Sequence, residues 1–105
     1  MWFPIALIAA FASQTVAAPS FPIEMELEYC YEGSPCGYAT WTFFADGTME
    51  DNLGGEGNWL VSRGNFNLVY SHGSEYRGTL IPAEGCVDGV NLHADGRRGE
   101  FIACL

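Results

Sequence analysis

The chain has 105 residues, with four arginines and no lysine against thirteen aspartates and glutamates, for a formal net charge of -9. Without a basic patch it can neither release counterions from a phosphate backbone nor hold an anionic lipid surface, so nucleic-acid binding and membrane-surface roles are set aside. The acidity itself reads as a solubility device.

Residues 1 to 18, MWFPIALIAAFASQTVAA, run from an apolar stretch into small and polar residues, the pattern of a secretory signal peptide with cleavage expected after Ala17 or Ala18. The apolar run is shorter than the roughly 20 residues of a membrane span, so no membrane insertion is expected after cleavage. Residues 19 to 105 then form one small domain, secreted or periplasmic, and domains of this size bury a low fraction of their surface and need staples. Cys30, Cys36, Cys86 and Cys104 all lie in this part, an even count that reads as two disulfides. Three connectivities are possible. The spacing favours Cys30 with Cys36, flanking the turn-like YEGSP, and Cys86 with Cys104, symmetric about Asp95-Gly96. No C-x-x-C is present, and zinc or any other metal is not expected.

The predicted elements begin at residues 23 to 31, IEMELEYCY, which alternate without a fault, as a half-buried strand does. Glu24, Glu26 and Glu28 share one face, expected to be the solvated face of an edge strand. Further short runs follow at 38 to 45, TMED, 57 to 62, 65 to 71, 75 to 81, 86 to 94 and 100 to 104, separated by turn signals such as Asp46-Gly47, Arg63-Gly64 and Asp95-Gly96. No segment carries a helical period. The expected fold is all-β: about eight short antiparallel strands in a meander, closed as a small barrel or stacked as a sandwich, and stapled by disulfides.

The pieces Asp46-Gly47-Thr48, Gly57-Asn58-Trp59, Asn65 to Tyr70 and Tyr76-Arg77-Gly78-Thr79-Leu80 together resemble a diffuse group of small exported bacterial β-proteins of lipocalin-like and avidin-like appearance. The resemblance spans roughly residues 38 to 104 and implies architecture only.

Candidate chemistry is sparse. Asp46, Glu50, Asp51 and Glu56 lack the spacing of a calcium loop, so the stretch from Phe43 to Val61 reads as a solvated hairpin corner. His72 and His93 stand at turn edges with serine and carboxylates nearby, but nothing selects a catalytic triad or a carboxylate pair; no catalytic residue and no cofactor are expected. The aromatic load, including Trp41, Phe43, Trp59, Phe66, Tyr70 and Phe101, is chiefly core material, since each buried ring supplies a few kcal/mol. Where a ring serves as a platform, Trp41 or Trp59 is the first choice, and the tyrosines around the first cysteine loop, Tyr29, Tyr31 and Tyr38, are the second. The expected function is therefore a non-enzymatic binding or inhibitory module acting through loops or a barrel rim on a protein, peptide or glycan. A structural or envelope-associated role without a small ligand comes next, and a small hydrolase third.

Overall fold

A computed structural model describes residues 20–105; the expected signal peptide lies outside the described residues. Eight strands follow one another: β1 (Ile23–Tyr31), β2 (Gly37–Phe43), β3 (Thr48–Asp51), β4 (Glu56–Ser62), β5 (Asn65–Tyr70), β6 (Glu75–Ile81), β7 (Cys86–Leu92) and β8 (Arg98–Cys104), with one 3-10 turn at Pro82–Glu84. Each pairs antiparallel with its neighbour in sequence, and β8 returns to β1, with Glu26 opposite Cys104 and Tyr31 opposite Gly99. The meander is thus a closed barrel. Closure corrects one expectation: β1 is no edge strand, and its row of glutamates decorates a wall hydrogen-bonded on both sides.

The period-two pattern decides which residues fill the interior. Ile23, Met25 and Leu27 point in from β1, Ala39, Trp41 and Phe43 from β2, and Phe66, Leu68 and Tyr70 from β5, all buried. Trp41, at 0% exposure, stands at the centre, stacked on Phe66 at 5.6 Å with the rings of Tyr76 and Phe101 edge-on at 5.1 and 5.7 Å. These arrangements suit the ring quadrupole and add to the burial itself. Gly78 and Gly89 face each other across β6 and β7. A side chain on Gly89 would run into the Arg77 carbonyl, and the Phe101 ring fills the space over Gly78, 3.1 Å from where a Cβ would stand.

One disulfide joins Cys30 to Cys36 and the other Cys86 to Cys104, the pairing that the spacing favours. The first closes the loop from β1 to β2; the second links residues directly opposite each other in the β7–β8 pair. The Asp46-Gly47 corner is a hairpin turn: Asp46 Oδ1 accepts from the Thr48 backbone N–H at 3.0 Å and from the Thr48 hydroxyl at 2.6 Å, and Gly47 takes the positive φ of 90° that the turn requires.

The strand order gives the barrel two unlike ends. At one, Phe21 stacks on Trp59 at 5.8 Å, Trp59 donates its indole N–H to the Phe44 carbonyl at 3.0 Å, and Phe43 meets the Trp59 ring edge-on at 5.5 Å. These rings plug it. The other end carries the loops that follow β1, β3, β5 and β7.

Candidate functional site

The loop-bearing end opens into a cleft of about 300 Å3. Its floor is made by inward residues at the strand ends that face the loops: Tyr31, Asp51 and Tyr70 close β1, β3 and β5, and Tyr76 stands near the start of β6. His72 and Ser74 come from the loop after β5, and His93 and Arg97 from the loop after β7.

Tyr70 ties the floor to the core. Its hydroxyl accepts from Trp41 Nε1–H at 2.8 Å and donates to Asp51 Oδ2 at 2.8 Å. The other Asp51 oxygen accepts the backbone N–H groups of Leu53 and Gly55, both at 2.8 Å. This network holds the β3–β4 loop against the barrel. Burial is the main cause that pushes the Tyr70 phenol far above its ordinary range, and the Asp51 carboxylate that accepts its proton adds to it. Tyr76 is pushed up in the same way, by burial first and then by the Tyr31 hydroxyl, which lies 3.5 Å from its own.

The rim is built of rings and one cation. His72 stacks on Tyr70 at 4.9 Å with planes 11° apart, and His93 meets Tyr31 edge-on at 5.3 Å. Each imidazole accepts a backbone N–H at Nδ1, from Ser74 at 3.4 Å and from Asp95 at 3.1 Å, which leaves the proton of the neutral ring on Nε2. When protonated, His93 has Asp95 Oδ1 at 3.1 Å as its ion-pair partner. Arg97 lays its guanidinium over the Tyr31 ring, 5.1 Å from the centroid. The same side chain is held by Asp95, at 2.9 and 3.2 Å from Nε, and donates to the Ser34 hydroxyl at 3.3 Å. The Arg97 backbone N–H is the main cause that holds the Asp95 carboxyl below its ordinary value, and the Arg97 side chain lowers it further. Beneath the rim, Ser74 is buried and accepts the Ala94 backbone N–H at 3.0 Å, joining the two histidine loops.

The five aromatic residues singled out in the sequence part company here. Tyr29 and Tyr31 lie in the cleft. Trp41 is wholly buried, so its ring is core rather than platform, and its indole N–H reaches the cleft only through Tyr70. Trp59 is at the plugged end, half-buried against Phe21 and Phe43. Tyr38 stands on the outer wall, 69% exposed, with its hydroxyl donating to Glu28 at 3.0 Å, and that carboxylate raises its pKa.

Sequence reasoning missed Asp51 as a site residue and took it for a solvated corner acid. The alternation of β3 holds the signal: Met49 is buried, Glu50 exposed and Asp51 half-buried on the side of Met49. It also left Tyr70, His72, His93 and Arg97 as unrelated residues, because only the strand register brings them to one end.

Outside the barrel, a broader groove of about 450 Å3 crosses β1, β8 and β7 between Glu28, Asp88, Val90, Glu100 and Ile102. It is a stretch of sheet exterior whose polar side chains are three carboxylates, with no side-chain donor among its lining residues. Glu28 also comes close to the sulfurs of Cys30 and Cys36, but these are joined to each other and offer no thiolate to a metal. No family model, curated protein or solved structure matches this chain.

Proposed function

We propose that this protein is a non-enzymatic binding module that takes its ligand, or a protruding group of a protein, peptide or glycan partner, into the open mouth of the barrel. The observation that carries this reading is the asymmetry of the ends: one is plugged by Phe21, Trp59 and Phe43, while the other gathers rings, a carboxylate and a guanidinium around a cleft of about 300 Å3. Ligand sites take this form, concave and aromatic with a few placed polar groups. The lipocalin-like and avidin-like resemblance enters as architecture alone. Neither histidine has a nucleophilic hydroxyl as hydrogen-bond partner among the described residues: the Nδ1 of each accepts a backbone N–H, which puts the proton of the neutral ring on Nε2, where a general base would need its lone pair. The Ser74 hydroxyl is bound to the Ala94 N–H. This supports binding over hydrolysis. Two disulfides suit an oxidising compartment, and with residues 1 to 18 acting as a signal peptide the protein works in the periplasm or outside the cell.

Trp41 offers the readout, since its indole N–H is bonded to the Tyr70 hydroxyl in the cleft floor. In a chain starting at Pro19 and carrying Trp59→Phe, Trp41 is the one remaining tryptophan. Titration with small aromatic, amine, carboxylate and glycoside probes should change its emission saturably for at least one class, and Tyr70→Phe should blunt that change. Saturable binding that leaves Trp41 emission unmoved and follows Tyr38 or the outer-wall groove instead would refute the mouth as the site.

A further inference from the structure

The chemistry of the mouth selects among ligand classes. The residues that line it include one carboxylate, Asp51, and one guanidinium, Arg97, and Asp95 pairs with Arg97 from outside the lining. That guanidinium is spent on Asp95 and Ser34. The Asp51 carboxylate accepts from Leu53, Gly55 and Tyr70 and has no ion-pair partner among the described residues. Around them stand the rings of Tyr31, Tyr70, Tyr76, His72 and His93, whose π faces, those of the tyrosines above all, attract cations. The whole chain, at a formal net charge of -9, draws cations toward the cleft and repels anions.

The cleft also contains a demonstration of its own preference: Arg97 rests over the Tyr31 ring as a cation-π partner at 5.1 Å. It is an internal occupant on an exposed loop, with its side chain 43% accessible. Tyr31 itself is buried, so the face that Arg97 covers becomes available only when Arg97 leaves.

Resting on the mouth as the binding site, we infer that the ligand presents an organic cation, a guanidinium, amidinium or alkylammonium group, which takes the Tyr31 face in place of Arg97. Arg97 is then a displaceable resident that weakens binding and sets its selectivity. An anion-binding mouth would use Arg97 in the opposite sense, as the group that holds the ligand.

Calorimetric titration of the disulfide-bonded protein with benzamidinium, tetramethylammonium, benzoate and methyl glucoside tests this, with the wild type and Arg97→Ala side by side. The two cations should bind and benzoate should not. Arg97→Ala should tighten benzamidinium by about three- to tenfold, the effect expected from removing a competing cation-π contact. Tyr31→Phe, which keeps the ring, should retain benzamidinium binding, and Tyr31→Leu should lose it; circular dichroism of the Leu variant shows whether the barrel persists, and Arg97→Ala decides the matter even if it does not. Benzamidinium binding that is unchanged or weakened in Arg97→Ala overturns the inference. So does benzoate or glucoside binding with Trp41 responding while the cations fail, an outcome that leaves the mouth standing as the site. If none of the four probes perturbs Trp41 or gives heat, the inference and the mouth reading fall together.

Discussion

At the scale of single residues, Tyr70 carries the most weight, because one hydroxyl satisfies a buried indole N–H and a half-buried carboxylate at once. Tyr70→Phe keeps the ring and strands both partners, so it should destabilise the domain by about 1–3 kcal/mol in urea unfolding. Tyr38→Phe loses only an exposed bond to Glu28 and should leave the urea midpoint nearly unmoved. Asn91 presents the opposite case. It is buried between Tyr76 and Gly99; its side-chain amide makes no hydrogen bond of good geometry among the described residues, and it lies beside the Tyr76 hydroxyl, whose raised pKa it partly offsets. Replacing it with Leu removes a poorly satisfied group at similar volume and should raise stability by roughly 1 kcal/mol; a clear loss would show that the amide is bonded to the Tyr76 hydroxyl. The raised phenols of Tyr70 and Tyr76 set a pH dependence. Their folded values lie above the unfolded value of about 10, so their contribution is complete below that pH and is lost as pH rises beyond it, when the unfolded chain ionises first. Ultraviolet difference spectra should show these two tyrosines staying protonated until the barrel unfolds in alkali. Ionisation of all five tyrosines together near the ordinary value, with the fold intact, would contradict their burial.

At the scale of elements, the strands were legible because alternation is a local signal. In β1 the inward set of Ile23, Met25 and Leu27 is the buried set, and the turn residues fix where each strand stops. The β6–β7 pair shows what alternation cannot convey. Alternation gives Gly78 and Gly89 no particular role, whereas the structure uses them as the place where the two backbones and the Phe101 ring come together. Gly89→Ala should therefore cost about 1–3 kcal/mol, as overpacking does, in contrast to Thr79→Ala, which trims an exposed outward side chain on the same pair. Urea midpoints of the two variants check the order. The site was the least legible part. Tyr31, Asp51, Tyr70 and His93 sit on or beside four different strands, and they meet only because successive hairpins return the chain to the same end.

At the scale of the whole molecule, closure was not legible. It depends on the pairing of β1 with β8, the first and last strands, and no local pattern distinguishes that from a sandwich in which both remain edges. The disulfides follow the closed meander: each bridges neighbouring segments rather than the termini of the domain. Cys86–Cys104 closes the longer loop, with a sequence separation of 18 against 6 for Cys30–Cys36. Chain entropy then assigns about 2–3 kcal/mol to each bridge, with the longer one worth slightly more. Cys86→Ser with Cys104→Ser should lower the urea midpoint more than Cys30→Ser with Cys36→Ser, and each double variant should still titrate with no free thiol. The first bridge also anchors the loop that carries Ser34, the partner of Arg97, so its loss should loosen the mouth as well as the fold.

The central claim is that ligand enters at the loop-bearing end. Amide chemical-shift mapping of the folded, disulfide-bonded chain at saturating benzamidinium tests it most directly. The predicted result is a set of shifts confined to residues 31 to 36, 51 to 55, 70 to 76 and 93 to 97, with the hairpin turns at the plugged end, 44 to 47 and 63 to 64, unmoved. Shifts centred on Trp59 and those turns, or on Val90 and Ile102 along the outer wall, would contradict it.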